Sequence, residues 1–183
     1  VIYRDSVRFF DFMRKGYIQL YTGNGKGKTT AALGLALRAL GANLKICIIQ
    51  FCKTCDTSEY KILSDFLGVD IYAFGRKGFI SKKTKKDFEI IAAAWRLTEQ
   101  IIYSQKYDVL ILDELNIAIY HKLLNILKVI DVLKNRPNNL EIVITGRYAD
   151  KKIIEISDIV TEMREIKHYY KSANIKARKG IEK

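Results

Sequence analysis

The chain has 183 residues, a formal charge of +12, a single proline and 49% apolar residues. That content can bury a sizeable core and excludes a disordered or low-complexity chain. No apolar run nears the roughly 18 residues of a membrane span, and no signal-peptide pattern of basic start, apolar block and small-residue cleavage site is present, so the cytoplasm is the expected location. The positive excess gathers at Arg76, Lys77, Lys82, Lys83, Lys85 and Lys86 and again over residues 167–183. Such charge can draw nucleic acid or an anionic ligand. No nucleic-acid module accompanies it, so it reads as a solvated surface and no nucleic-acid partner is assigned.

Residues 1–12 read unlike the rest, either as a helical extension or as upstream sequence carried along. From Tyr17 the pattern alternates strand and helix. "YIQLYT" (17–22) is a short strand. "TTAALGLALRALG" (29–41) is rich in helix formers and ends on a C-cap glycine. "LKICIIQF" (44–51) has the apolar, β-branched character of a buried parallel strand, and "VDIYAF" (69–74) is another strand. Residues 85–105 carry apolar side chains at helical spacing, with Trp95 in the core. "YDVLILDE" (107–114) is a buried strand ending in two carboxylates. Residues 122–137 form an amphipathic helix stopped by Pro137. "LEIVITGR" (140–147) is a strand, 150–158 a short helix and 159–168 a last strand. This order predicts an α/β fold of the RecA-like P-loop kind, a mostly parallel sheet with helices on both faces. Ligands of such sheets bind beyond the carboxyl ends of the strands. The glycine loop, the paired carboxylates and "TGR" all follow strand ends, so one site can gather them.

The loop "TGNGKGKTT" (22–30) has the composition of a phosphate cradle. Glycines let backbone N–H groups turn inward and approach an anion, and the helix N-terminus behind them favours negative charge. Gly23, Asn24, Gly25, Lys26, Gly27, Lys28, Thr29 and Thr30 are the candidate ATP-binding residues. Lys28 is the phosphate lysine, Thr29 the hydroxyl for Mg²⁺ and Thr30 a second donor. The usual pattern G-x-x-x-x-G-K-[ST] places glycine where this chain has Thr22, so the loop begins one residue late. Residues 13–183 are therefore read as one P-loop nucleotide-binding domain. Asp113 and Glu114 are both candidates for holding Mg²⁺. Neighbours on an extended strand face opposite ways, so only one is expected to touch the metal. Arg147, after a strand and glycine, is a candidate nucleotide contact, ahead of Arg38. Cys52 and Cys55 form a lone C-x-x-C without the further ligands zinc needs and read as reduced thiols. No guanine-reading N-K-x-D motif appears.

Several stretches together resemble the P-loop ATP:corrinoid adenosyltransferases: residues 15–41, "IIQFCK" (48–53), "YDVLILDELNIAI" (107–119), 123–137, "EIVITGR" (141–147) and "KHYYKSANIKARKGIEK" (167–183). The resemblance implies an enzyme that transfers the 5′-deoxyadenosyl group of ATP to Co(I) of a reduced corrinoid, either cobalamin or a precursor, and releases triphosphate. It also implies ATP bound in reverse, with the loop clamping the departing triphosphate. Mg²⁺, a reduced flavoprotein electron donor and a homodimer follow from the same likeness. Phe79, in "GRKGFIS" (75–81), is implied as the catalytic residue that displaces the lower axial ligand of cobalt. Ser81 stands where the family often has tryptophan. The alternative is a P-loop kinase or RecA-like ATPase acting on a small molecule or nucleic acid.

Overall fold

The structure, a computed structural model, describes residues 15–76 and 83–181. The expectations for residues 1–12, Phe79 and Ser81 lie outside the described residues. Six strands form one sheet: β1 (Ile18–Thr22), β2 (Ile46–Phe51), β3 (Asp70–Phe74), β4 (Val109–Asp113), β5 (Glu141–Thr145) and β6 (Ile159–Glu162). All pairings are parallel, in the order β3-β2-β4-β5-β1-β6. This is the α/β, RecA-like architecture that the alternating pattern predicts.

The continuous apolar runs exist because both sheet faces are covered. Alternate side chains point opposite ways. Leu110, Leu112, Ile142 and Ile144 therefore join one core with Trp95, Leu115, Val129 and Leu133. Val109, Ile111 and Val143 join another with Ala32 and Ala36. The second face is packed by α1 (Lys28–Gly41), whose buried stripe includes Ala32, Ala36 and Ala39. Small residues there let the helix lie close to the strands. The first face is packed by α3 (Lys85–Ser104) and α5 (Ile126–Lys134). Trp95 is 6% exposed, and its indole N–H donates to Glu99 at 2.9 Å.

Local chemistry fixes the helix ends. Thr84 and Asp87 form a reciprocal capping box at the start of α3, and Arg76 grips Asp87 through two bonds of 2.7 and 2.6 Å. The expected helix over 122–137 is shorter, because Asn125 caps α5 by accepting from Leu127 N–H at 2.9 Å. It stops at Lys134, before the stretch in which Pro137 disfavours helix in its predecessor. The short helix expected over 150–158 is α6 (Lys151–Ile156), and the strand expected over 159–168 ends at Glu162. Three short helical pieces were not expected. These are α2 (Ser58–Lys61), which runs on as a π-helical turn (Ile62–Phe66), α4 (Leu115–Tyr120) and α7 (Tyr169–Ala173). Their α-helical parts have four to six residues, too few to display a helical period. Among the described residues, no helix is long and apolar enough to cross a membrane.

Candidate active site

β1 ends at Thr22, and the glycine loop carries the chain from there into α1. Thr22 remains in the ladder, its carbonyl accepting from Met163 N–H at 2.9 Å. Gly23 makes the turn with φ of 93°, a conformation that costs glycine little. This explains why a threonine can stand where the usual motif has glycine. Gly27 precedes the helix with φ of 118°, no side chain caps the first turn, and that turn has no acidic residue. The positive end of α1 thus faces the loop without compensation. Lys28 is buried. Its ammonium bends back over the loop and donates to the carbonyls of Gly23 at 2.9 Å and Gly25 at 2.6 Å. Burial lowers its pKa, with Arg147 and Lys53 adding to the effect while Glu114 and Asp113 oppose it. A charge held at such a cost gains from a polyanion. Asn24, Lys26 and Thr30 are exposed at the loop tip and first helical turn.

The end of β4 meets this loop through α1. Thr29 Oγ1 donates to Asp113 Oδ1 at 2.8 Å. Thr145, at the end of β5, donates to the same oxygen at 2.7 Å. Gln50 on β2 reaches Asp113 Oδ2 at 3.2 Å, and Lys53 beyond β2 reaches it at 2.7 Å. Asp113 is 1% exposed. Burial alone would raise its pKa, but Lys53 and the two hydroxyls outweigh that and hold it below the usual carboxylate range.

Glu114 is in a different position. The strand has already ended, and Glu114 turns with φ of 61° as the N-cap of α4. No hydrogen bond among the described residues reaches its carboxylate. Burial, followed by the charge of Asp113, raises its pKa against the opposing pull of Lys53, Lys28 and Arg147. Gly146, with φ of 131°, passes so close that a Cβ there would stand 3.2 Å from Glu114 Oε2. Arg147 follows, exposed but near enough for its charge to bear on both Lys28 and Glu114. Arg38 lies ten residues beyond Lys28 in α1, about 15 Å along the axis, and its charge bears on Tyr21 rather than on Lys28 or the carboxylates.

The donor set suits Mg²⁺. Hard cations prefer oxygen ligands, and Thr29 Oγ1 and the unpaired Glu114 carboxylate supply them. Two buried amide oxygens beside the carboxylates, Gln50 Oε1 and Asn116 Oδ1, have no partner among the described residues. Leaving such an acceptor unpaired costs about 1–3 kcal/mol, and the waters of a hydrated cation are natural donors for it. Cysteine is not part of this set. Burial, with Glu114 and Asp87, pushes the Cys52 thiol up to about 12, and Cys55 is exposed.

A family described as ATP:corrinoid adenosyltransferase BtuR/CobO/CobP matches residues 14–182. The chain belongs to the ATP:corrinoid adenosyltransferases. It is 36% identical over 171 residues to the corrinoid adenosyltransferase of Pseudomonas aeruginosa, covering 92% of this chain and 84% of that one. It is 34% identical to the corrinoid adenosyltransferase of Escherichia coli K12, covering 92% and 86%. The enzyme of that name from Salmonella typhimurium matches at the same identity and coverage.

Within this adenosyltransferase, sequence reasoning brought together the loop, Asp113 and Glu114 but missed the residues that tie them. Gln50 and Lys53 lie in the stretch 48–53 and Thr145 in 141–147, but nothing in those stretches assigns them a task. It also gave the glycines too narrow a reason. Gly25 N–H donates to Met163 C=O at 2.6 Å, and a Cβ on Gly25 would lie 2.7 Å from that oxygen and 2.9 Å from the Arg164 backbone. The segment leaving β6 is therefore a wall of the loop, and a polar cleft of about 240 Å³ opens beside it between Asn24, Glu162, Arg164, Glu165 and Lys171. Gly25→Ala should lower the melting temperature by several degrees, since overpacking costs about 1–3 kcal/mol. Differential scanning calorimetry reads this directly. An unchanged melting temperature would show that the 163–164 segment does not abut the loop.

Proposed function

We propose that this chain transfers the 5′-deoxyadenosyl group of ATP to Co(I) of a reduced corrinoid, with Gly23, Asn24, Gly25, Lys26, Gly27, Lys28, Thr29, Thr30 and Arg147 binding the nucleotide. The cobalt lone pair forms the Co–C bond, and the C5′–O bond breaks with its electron pair going to the triphosphate. No proton is transferred, so no side-chain base is needed. The observation that carries the reading is the 2.8 Å bond between Thr29 and Asp113, which joins the loop to the strand-end carboxylates in one site.

Each residue has a task in that step. The end of α1 and Lys28 attract the charge that builds on the leaving oxygen. Gripping the polyphosphate leaves the ribose carbon to be presented outward, and such positioning lowers the barrier further. Thr29 and Glu114 would hold Mg²⁺, while Asp113, its oxygens filled by four donors, orients Thr29. Mg²⁺, when bound, neutralises charge on the triphosphate. Arg147 adds a guanidinium on the side of β5. Phe79 is assigned the displacement of the lower axial ligand on the strength of the family resemblance. A reduced flavoprotein as electron donor, a homodimeric state, a cytoplasmic location and a single domain over 13–183 preceded by an extension belong to the same reading.

The test is incubation with ATP, Mg²⁺ and chemically reduced cobalamin, followed by absorption spectroscopy. The expected result is the Co–C product spectrum, dependent on Mg²⁺ and ATP. ATP consumption without that spectrum, and without need for corrinoid, would reject the reading in favour of an ATPase.

A further inference from the structure

We infer that Lys53 is a built-in stand-in for the metal ion, holding Thr29 and Asp113 together until a divalent cation displaces it. The inference rests on the magnesium site proposed above. Lys53 Nζ donates to Thr29 Oγ1 at 3.0 Å and to Asp113 Oδ2 at 2.7 Å. The first of these atoms is the hydroxyl assigned to the metal, and the second belongs to the carboxylate that orients it. A cation already bridges the loop and the end of β4, and it is tethered to the chain.

The arrangement answers a physical need. Asp113 is almost fully buried, and a buried carboxylate without a cation is strongly destabilising. Two hydroxyls and one amide surround it, and Lys53 brings the positive charge. Lys53 is also the member of this group free to leave. Its side chain is 23% exposed against 2% for Asp113, and it follows Cys52, which has φ of 58°, in the loop beyond β2. Thr145 and Gln50 are buried strand residues and have no such freedom. A divalent ion arriving beside Thr29 and Glu114 adds two positive charges next to the ammonium. Repulsion at that range is large in a partly buried site. Lys53 therefore swings out towards the incoming polyphosphate, where it becomes a second ammonium beside Lys28. A permanent Lys53–Asp113 ion pair, by contrast, would leave Lys53 in place whether or not metal is present.

The neutral variant Lys53→Met tests whether the ammonium competes with the metal, and the Lys53 signal itself tests whether it leaves. Mn²⁺ serves as the probe, with free ion counted by electron paramagnetic resonance. Without nucleotide, the variant should bind Mn²⁺ about tenfold more tightly than the wild type, since a competing unit charge has gone. With ATP added, its nucleotide affinity should fall instead. Lys53→Arg, which keeps the charge, should not gain Mn²⁺ affinity. A second measurement needs no variant. In ¹⁵N NMR of lysine side chains, the hydrogen-bonded Lys53 ammonium should be visible and slow to exchange in the metal-free protein, and its signal should be lost to solvent exchange as Mg²⁺ is added. Equal or weaker Mn²⁺ binding by Lys53→Met, or a Lys53 ammonium still slow to exchange at saturating Mg²⁺, would overturn the inference while leaving the metal site standing. Absence of Mn²⁺ binding by the wild type, with no uptake beyond what the same concentration of ATP takes up without protein, would overturn the site and the inference together.

Discussion

Lys28→Ala is expected to lower kcat/KM for adenosyl transfer by about 10²–10³-fold, the usual effect of removing one charge-stabilising donor from a developing anion. Most of the loss should fall on kcat. The triphosphate already carries charge in the ground state, but the oxygen leaving C5′ gains more as the bond breaks, so the lysine does more for the transition state than for bound ATP. The fold should survive the change. Lys28 is buried at a cost, as its lowered pKa records, and its two bonds go to loop carbonyls that solvent can reach once the side chain is gone. Steady-state kinetics with reduced cobalamin and a thermal melt separate these effects. A rise in KM alone would mean that Lys28 only anchors the substrate. Unchanged kinetics would remove it from the site.

The second large effect concerns Glu114 and has opposite signs for stability and activity. The folded protein raises the pKa of this carboxyl, first through burial and then through Asp113. A raised folded pKa means the folded state binds the proton more tightly than the unfolded chain does. The corresponding stability is fully present below the unfolded value of about 4.3 and is lost as pH rises through the folded value. At neutral pH, therefore, ionised Glu114 destabilises the metal-free protein. Glu114→Gln removes that burden and should raise the metal-free melting temperature at pH 7 by about 2–4 °C, which corresponds to roughly 1 kcal/mol in a chain of this size. The gain should shrink towards zero as pH falls to about 4. Activity should move the other way, dropping more than about a hundredfold, and the stabilisation that Mg²⁺ with ATP gives the wild type should disappear. A destabilised Glu114→Gln protein would show that the carboxylate has a structural partner. A variant that keeps its magnesium response would transfer the metal to Asp113.

Asp113 and Glu114 also show how far the sequence could be read. The alternation rule for strands expects one of the pair to reach the metal, and the two do part company. The reason is different, however. Glu114 has left the strand for a left-handed turn, and a glutamate gives no sign of that. The apolar runs of β2, β4 and β5 were legible because burial on both faces leaves a continuous signature. The loop was legible because glycine, lysine and threonine each answer a distinct demand of phosphate. The task of Lys53 was not, although it stands in the matching stretch 48–53, because a single lysine after a strand has no spacing to show what it meets. Only the placing of β2 beside β4 in the sheet carries it to Asp113. Likewise, Gly23 and Gly25 pass for phosphate glycines, yet both also lie against Met163, a contact about 140 residues away in the chain that requires β1 and β6 to be neighbours. Helix α4 escaped notice because its six residues are too few to show a period of about 3.6.

Adenosyl transfer requires the loop to release triphosphate whole after attack at carbon. The most direct measurement is ³¹P NMR of the products formed from ATP, Mg²⁺ and reduced cobalamin, taken alongside the Co–C absorption. Inorganic triphosphate appearing in step with the Co–C product is the expected result. ADP with orthophosphate, formed with or without corrinoid, would contradict it, because the site would then be attacking phosphorus.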